Sequence, residues 1–396
     1  MKALRLLTYT VFLSIIQVHA SSVPSKFKAI PERMQAFVES NTISGAVTLV
    51  ARKGEIVSLD AVGLADMANK RAIRADSLFW IASMTKPITA TAVMMLQDEG
   101  KLSVDDAVEK YLPEFKNQWL IDNRSSNSMA LTRAPRPITL RDLLTHTSGL
   151  SDLSAPRPNC TLAELAMAYS QLPLKFPPGT KWEYCNSGIN VLGRLVEVAS
   201  GQTFAEFLQE RIFKPLGMKD TTFWPTPAQA KRLAKPYQPA KEGRGLEEGT
   251  IWFIKDNLSD RSRTAFPSGG LFSTTQDMFR FYQMVLNGGE FNGRRIVSRE
   301  SVDAMTRTQT GDIRTGFTEG MSFGYGWAVV KKPAGVTAML SSGTFGHGGA
   351  YGTQGWVDPK KELICVLMIQ RVRLQNADDS AIRKAFQEAA VAALAE

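Results

Sequence analysis

The sequence predicts an α/β sandwich: one antiparallel sheet built from both ends of the chain, flanked by helices, with a mainly helical region inserted between its halves. Three observations carry this. Residues 44–50 (Ser-Gly-Ala-Val-Thr-Leu-Val) and 56–62 are strand-like, and Arg52-Lys53-Gly54-Glu55 joins them as a hairpin. Strand-like runs return after Gly320. Between them, Thr-x-x-acid signals at Thr139, Thr161 and Thr203 each precede an apolar run with helical spacing.

Taken in order, Lys2 and Arg5 precede an apolar stretch over 6–18 that is short for a membrane span. Val18-His19-Ala20 then reads as a cleavage site. Residues 1–20 are therefore expected to be a signal peptide, with one mature domain over 21–396 in the periplasm or outside the cell; an uncleaved N-terminal anchor is the competing reading. A helix over 31–40 precedes the hairpin. A buried helix runs from near Ser83 to Gly100. Ser103-Val104-Asp105-Asp106 has the pattern of a capping box opening a short helix toward Tyr111. Helices follow from the three threonine signals, over 189–199 and over 273–286. Residues 224–249 and 262–270 are turn-rich. Strands are expected at 323–330, 343–347, 351–357 and 362–369, with a turn at Asp358-Pro359-Lys360-Lys361 and a terminal helix over 379–394. The sheet regions are thus about 28–80 and 320–396, the helical region about 81–319, and an active site belongs at their seam.

The 396 residues, 44% apolar and 21% charged, are ordinary for a folded globular protein with a large core. Without Lys2 and Arg5 the basic count falls from 47 to 45 against 38 acids, a net charge of about +7. No Lys/Arg stripe interleaved with aromatics appears, which argues against nucleic acid as a partner. Cys160, Cys185 and Cys365 allow at most one disulfide and lack metal-ligand spacing. Beyond the leader only His146 and His347 are histidines, so a histidine-based metal centre is not expected.

Ser83-Met84-Thr85-Lys86 is the first candidate for chemistry. If the helix starts near Ser83, Lys86 lies one turn along on the same face. A serine hydroxyl needs a neighbour to take its proton, and a lysine can do so once burial has removed its charge. Leu78-Phe79-Trp80-Ile81 before it and a nearly uncharged run after it leave Lys86 hard to solvate. Pro87 is tolerated in a first turn. The competing reading is a surface serine and a snorkelling lysine at the start of a core helix.

Tyr184 and Asn186, after the Pro177-Pro178-Gly179 turn, face the same way if that loop is extended. A phenol beside a lysine ammonium has its anion stabilised, so Tyr184 is a candidate base or proton relay. Asn186 is a candidate to orient an acyl group or Lys86. The competing reading is a loop aromatic packed inward and an asparagine helix cap. In the third segment, Phe345-Gly346-His347-Gly348-Gly349-Ala350, glycines let a ligand approach the backbone. The N–H groups of Ala350 and Ser83 would then form an oxyanion hole, with His347 lining the pocket. A glycine-rich bulge with a structural histidine is the alternative.

Together, and in this order, the segments resemble the serine β-lactamase and penicillin-binding protein superfamily, most of all the class C β-lactamases, family VIII carboxylesterases and D-aminopeptidases. That pattern is Ser-x-x-Lys, Tyr-x-Asn, then Lys-Thr-Gly or a variant, matched here by Ser83–Lys86, Tyr184-Cys185-Asn186 and His347-Gly348-Gly349. Residues 143–150 and 269–274 are also similar, and the likeness runs from about Gly45 to Gln370. The resemblance implies a β-lactamase/transpeptidase-like fold, an acyl-enzyme on Ser83, and no metal or cofactor. It implies that Lys86 and Tyr184 share the nucleophile's proton and protonate the leaving group, that Asn186 contacts the acyl side, and that Ser83 and Ala350 supply the oxyanion N–H pair. His146 falls in a family turn and reads as structural.

The departure is His347, where β-lactamases and D,D-peptidases usually carry a lysine that helps hold the substrate carboxylate. A neutral histidine keeps a hydrogen-bond donor but little fixed charge. His and Trp variants occur among the esterases and D-aminopeptidases of the superfamily. The expected substrates are therefore small carboxylic esters or D-amino-acid amides and peptides, ahead of β-lactams and cell-wall peptides. A non-catalytic envelope scaffold is the reading from another class. Gly320-Met321-Ser322-Phe323-Gly324 matches Gly-x-Ser-x-Gly, but a nucleophile elbow needs a strand before the serine and a helix after it. Neither is expected around Ser322.

Overall fold

Alternation decides where the sheet lies. Every residue of the strand Leu363–Met368 is buried. Leu363, Cys365 and Leu367 join one core, while Ile364, Val366 and Met368 join another. A strand apolar on both sides belongs between two helical layers. A computed structural model of the chain, describing residues 25–394 except 126, 156 and 252–256, has that arrangement. The leader expected at 1–20 lies outside the described residues.

The sheet has eight strands in the order Met321–Phe323, Ala328–Val330, Phe345–Gly348, Gln354–Asp358, Leu363–Met368, β1 (Gly45–Arg52), β2 (Glu55–Asp66) and β3 (Arg71–Ala72). The two ends of the chain meet inside it, with Val47 opposite Met368 and Arg52 opposite Leu363 in antiparallel register. Helix α1 (Ala29–Glu39) and the terminal helix Ala381–Ala392 cover one face, packing Ile30, Met34, Ile382 and Phe386 into one core. Thr275–Leu286 covers the other face through Met278, Phe281, Tyr282 and Val285.

The inserted region holds α2 (Thr85–Asp98), α3 (Leu140–Leu144), α4 (Leu162–Ser170), α5 (Asn186–Ser200) and α6 (Phe204–Leu208). Complete capping boxes at Thr139, Thr161 and Thr203 start α3, α4 and α6 as expected. In α2 every residue from Thr85 to Leu96 is buried, as befits a helix with almost no charge on any face. It packs against α5 and the strand Phe345–Gly348, which puts its N-terminus at the seam between sheet and insertion.

Several expectations are corrected. Ser103–Asp106 opens no α-helix, only a 3-10 turn at Val108–Lys110. The carbonyls of Val104 and Asp106 accept from the N–H groups of Arg141 and Leu140, so no local helix ladder can use them. The insertion also contains a hairpin, Trp119–Arg124 with Met129–Arg133, whose mostly exposed residues give no alternating signal. Residues 224–249 hold a short helix, Pro227–Ala230, and a second hairpin, Tyr237–Pro239 with Leu246–Glu248. The strand expected over 323–330 is two strands around a tight turn. There Gly326 has φ 72°, and a Cβ on it would lie 2.6 Å from the Cβ of Ala90 in α2. The three cysteines are buried and free.

Candidate active site

Ser83 lies in a 3-10 turn, Ala82–Met84, that leads into α2. Ala82 has φ 46°, a left-handed conformation that costs energy in any residue with a Cβ, and the turn leaves Ser83 half-buried at the seam. Lys86, in the first turn of α2, is fully buried. Its Nζ is 2.9 Å from Ser83 Oγ, 2.8 Å from Asn186 Oδ1 and 2.6 Å from the carbonyl oxygen of Ser268. Burial pushes the amine down to about 7, against smaller upward pulls from Asp152, Cys185 and Asp378. The snorkelling alternative is thereby corrected.

Two of the three amine partners can only accept. Ser268 offers a backbone carbonyl. Asn186 donates from Nδ2 to Asp152 Oδ2 at 3.1 Å, which turns its Oδ1 toward Lys86. A neutral amine has two N–H groups and one lone pair. The charged amine donates to all three, Ser83 Oγ included; in the neutral form, with its N–H groups given to Ser268 and Asn186, the lone pair is left facing Ser83 Oγ and can accept its proton.

Asn186 is not in an extended loop. It is the first residue of α5, and its neighbour Cys185 caps the helix, Sγ accepting from Gly188 N–H at 3.4 Å. Asp152 Oδ1 accepts a second bond from Ser187 N–H at 2.8 Å, so one carboxylate holds both the helix start and the Asn186 amide. Tyr184 still reaches the site. Its ring centroid is 4.6 Å from Lys86 Nζ, and it packs among His146, Phe317 and His347 at centroid distances of 4.6, 5.0 and 6.1 Å. Burial pushes the phenol well above its usual range, against a smaller downward pull from a hydrogen bond with Ser83. The shift runs opposite to the lowering expected from Lys86: burial raises the phenol, and Asp378 and Asp152 raise it further. Burial thus favours the neutral phenol. His146 lies beneath it with φ 60°; its Nδ1 accepts from Cys185 N–H at 3.1 Å, and burial keeps the ring neutral.

His347 stands on Phe345–Gly348 with Nδ1 2.7 Å from the carbonyl of Gly348. A carbonyl only accepts, so Nδ1 carries the proton. Burial, aided by the Lys86 charge, lowers this imidazole to about 4. The donor expected to survive here is spent on Gly348, and Nε2 has no partner among the described residues. The glycines also differ from expectation. A Cβ at Gly348 would meet Asp378 Oδ1 at 1.9 Å and Gln354 Nε2 at 2.6 Å; one at Gly349 would meet Thr353 Oγ1 at 2.2 Å and the Ile81 carbonyl at 2.5 Å. Protein atoms, not a ligand, fill that space. Among the described residues neither Ser83 N–H nor Ala350 N–H donates to a backbone carbonyl.

Two cavities meet at Ser83 and Ala350. One, of about 250 Å³, is lined by Trp80, Asp152, Tyr169, Asn186, Asn190 and Phe266 among others. The other, of about 300 Å³, is lined by Tyr184, Phe317, His347, Asn376, Ala377 and Asp378 among others. Sequence reasoning missed Asp152, the Ser268 carbonyl and Asp378. Asp152 lies two residues beyond the 143–150 stretch and Ser268 directly precedes the 269–274 stretch; Asp378 has no such signal. Ser322 is buried in Met321–Phe323, pairs with Thr310 Oγ1 at 3.0 Å, and precedes a glycine turn rather than a helix. It lines neither cavity.

Residues 30–390 match the family model described as Beta-lactamase. Esterase EstB of Burkholderia gladioli is 32% identical, over 88% of this chain and 91% of its own. Penicillin-binding protein 4 of Amycolatopsis lactamdurans is 32% identical, over 82% of this chain and 79% of its own. Among solved structures, unliganded simvastatin synthase LovD from Aspergillus terreus aligns with a TM-score of 0.76 and 21% identity, covering 94% of this chain and 98% of that one.

Proposed function

The chain belongs to the beta-lactamase family of serine hydrolases and has its β-lactamase/transpeptidase-like fold; from that premise we propose that it hydrolyses small carboxylic esters through an acyl-enzyme on Ser83. The observation that carries this reading is the environment of Lys86 Nζ, with two obligate acceptors and one serine hydroxyl around a buried amine.

Ser83 Oγ attacks the ester carbonyl while its proton passes to Lys86. The N–H groups of Ser83 and Ala350 stabilise the oxyanion. As the C–O bond breaks, the Tyr184 phenol protonates the departing alkoxide and recovers a proton from Lys86. Water then attacks the acyl carbon, giving a proton to the same pair, which returns it to Ser83 Oγ as the acyl C–O bond breaks and the acid leaves. Esters come first because a 32% identical relative is an esterase and because neutral His347 offers no charge to a substrate carboxylate. D-amino-acid amides and peptides come next. The relation to a penicillin-binding protein keeps β-lactams and cell-wall peptides third.

The test is turnover of p-nitrophenyl butyrate, nitrocefin and a D-Ala-D-Ala peptide by the wild type, Ser83→Ala and Ser322→Ala. Ser83→Ala should lower ester turnover by about 10³-fold or more, and Ser322→Ala should leave it intact. The reverse result ends the assignment. A fluorophosphonate probe that leaves Ser83 unlabelled would favour the scaffold reading. Export is proposed from the leader pattern of residues 1–20, and a mature mass beginning at Ser21 would support it. No helix among the described residues is long and apolar enough to cross a membrane.

A further inference from the structure

The two cavities at Ser83 divide a substrate between them. A leaving group is protonated by a donor beside the departing oxygen. Tyr184 lines the 300 Å³ cavity and not the other, whereas Asn186 lines the 250 Å³ cavity and not the first. The Tyr184 cavity is therefore the leaving-group side. Among its described lining residues Asp378 is the one carboxylic side chain; burial keeps His347 neutral, and no lysine or arginine lines the cavity.

That carboxylate is built in. Its Oδ1 accepts from Gln354 Nε2 at 3.1 Å and rests on Gly348, in the space a Cβ would need. The Asp378 N–H donates to Asn376 Oδ1 at 3.1 Å, and its carbonyl accepts from Arg383 Nη1 at 2.6 Å. Arg383 is fully buried, its guanidinium 3.9 Å from the Trp356 ring centroid, and it does not line this cavity. Among the described residues no cation lies within salt-bridge distance of the Asp378 carboxylate; Arg383 attracts it from outside this cavity. A leaving group in this cavity thus meets an anion held against the wall of the His347-Gly348-Gly349 segment. The chain as a whole is basic, but a charge at contact range outweighs a diffuse one.

Resting on the ester-hydrolase reading, we propose that Asp378 is a specificity-determining residue that rejects leaving groups bearing a carboxylate and favours neutral or cationic ones. Glycine at 348 is what admits it: any side chain there would push the carboxylate off the strand.

The experiment compares kcat/KM for three acetyl esters, 4-acetoxybenzoate, its methyl ester and 4-acetoxybenzyl-trimethylammonium, in the wild type and Asp378→Asn. Asparagine keeps the volume and an acceptor for Gln354. Ratios between substrates, taken variant against wild type, cancel the intrinsic reactivity of each ester. The anionic-to-neutral ratio should rise roughly three- to tenfold in Asp378→Asn and the cationic-to-neutral ratio should fall by a similar factor, both effects shrinking at high salt. Unchanged ratios in a folded variant overturn the proposal. If the variant does not fold, competitive inhibition of the wild type decides: 4-hydroxybenzamide should bind more tightly than 4-hydroxybenzoate, and the opposite order overturns it. A wild type that fails to hydrolyse the neutral ester through Ser83 would instead sink the ester reading, and this proposal with it.

Discussion

Replacing Lys86 with methionine tests the buried amine directly. The Lys86 pKa is lowered from 10.5 to about 7 in the folded chain by burial. An unfolded chain restores the ordinary value, so between about pH 7 and about pH 10.5 the unfolded state binds more protons than the folded one. The contribution of Lys86 to stability is therefore full above the unfolded pKa and is lost as pH falls through the folded one. Each pH unit inside that window corresponds to about 1.4 kcal/mol. Methionine has similar length, is apolar and does not titrate. The stability of the wild type minus that of Lys86→Met, from urea denaturation, should rise by about 2–3 kcal/mol between about pH 7.5 and about pH 9.5. The offset at any one pH mixes two effects. Methionine relieves the cost of desolvating a cation, but it strips the Ser268 carbonyl and Asn186 Oδ1 of a donor, at about 1–3 kcal/mol each. Those acceptors do not titrate, so the slope isolates the amine. A difference that stays flat across the window refutes a desolvated Lys86.

The same amine sets the pH dependence of turnover: kcat/KM for a neutral ester should fall below about pH 7, to about a tenth one pH unit lower, as Lys86 becomes protonated. Asp152→Asn removes the largest upward pull on Lys86, so the acid midpoint should move down by roughly half a pH unit to one pH unit; a midpoint that stays or rises contradicts the role given to that carboxylate. Tyr184→Phe keeps the ring packing on His146 and Phe317 but loses the proton donor. Its kcat/KM, which reports acylation alone, should fall by roughly 10²- to 10⁴-fold on alkyl esters and much less on p-nitrophenyl esters, whose leaving group needs no proton. Equal losses on both would remove Tyr184 from the relay.

Features whose chemistry is closed within a few residues were legible in the sequence. Thr139, Thr161 and Thr203 start helices because each cap is completed three residues on. Ser103 carries the same pattern and fails, because residues 140 and 141 take the carbonyls its helix would have used. The separated segments containing Ser83, Lys86, Tyr184, Asn186, His347 and Ala350 do converge on two adjoining cavities. The part played by Ser268, beside the 269–274 stretch, was not legible because it is made by a carbonyl oxygen, which has no residue-type signature. Asp378 is an ordinary acid near a helix start until folding lays it on Gly348. The Tyr184 phenol shifts in the direction opposite to the expectation because burial of the ring, which only the folded environment supplies, raises it, and the carboxylates of Asp378 and Asp152 add to that.

The antiparallel seam between β1 and Leu363–Met368 also bears on how the molecule is made. Synthesis delivers β1 early, yet its partner arrives more than three hundred residues later. Until then β1 presents a bare hydrogen-bonding edge, and such long-range closure is slow. The strand behind the nucleophile belongs to that late segment, so a nascent or truncated chain carries Ser83 and Lys86 without the wall that faces them. Competence as an enzyme is thereby tied to completion of the polypeptide.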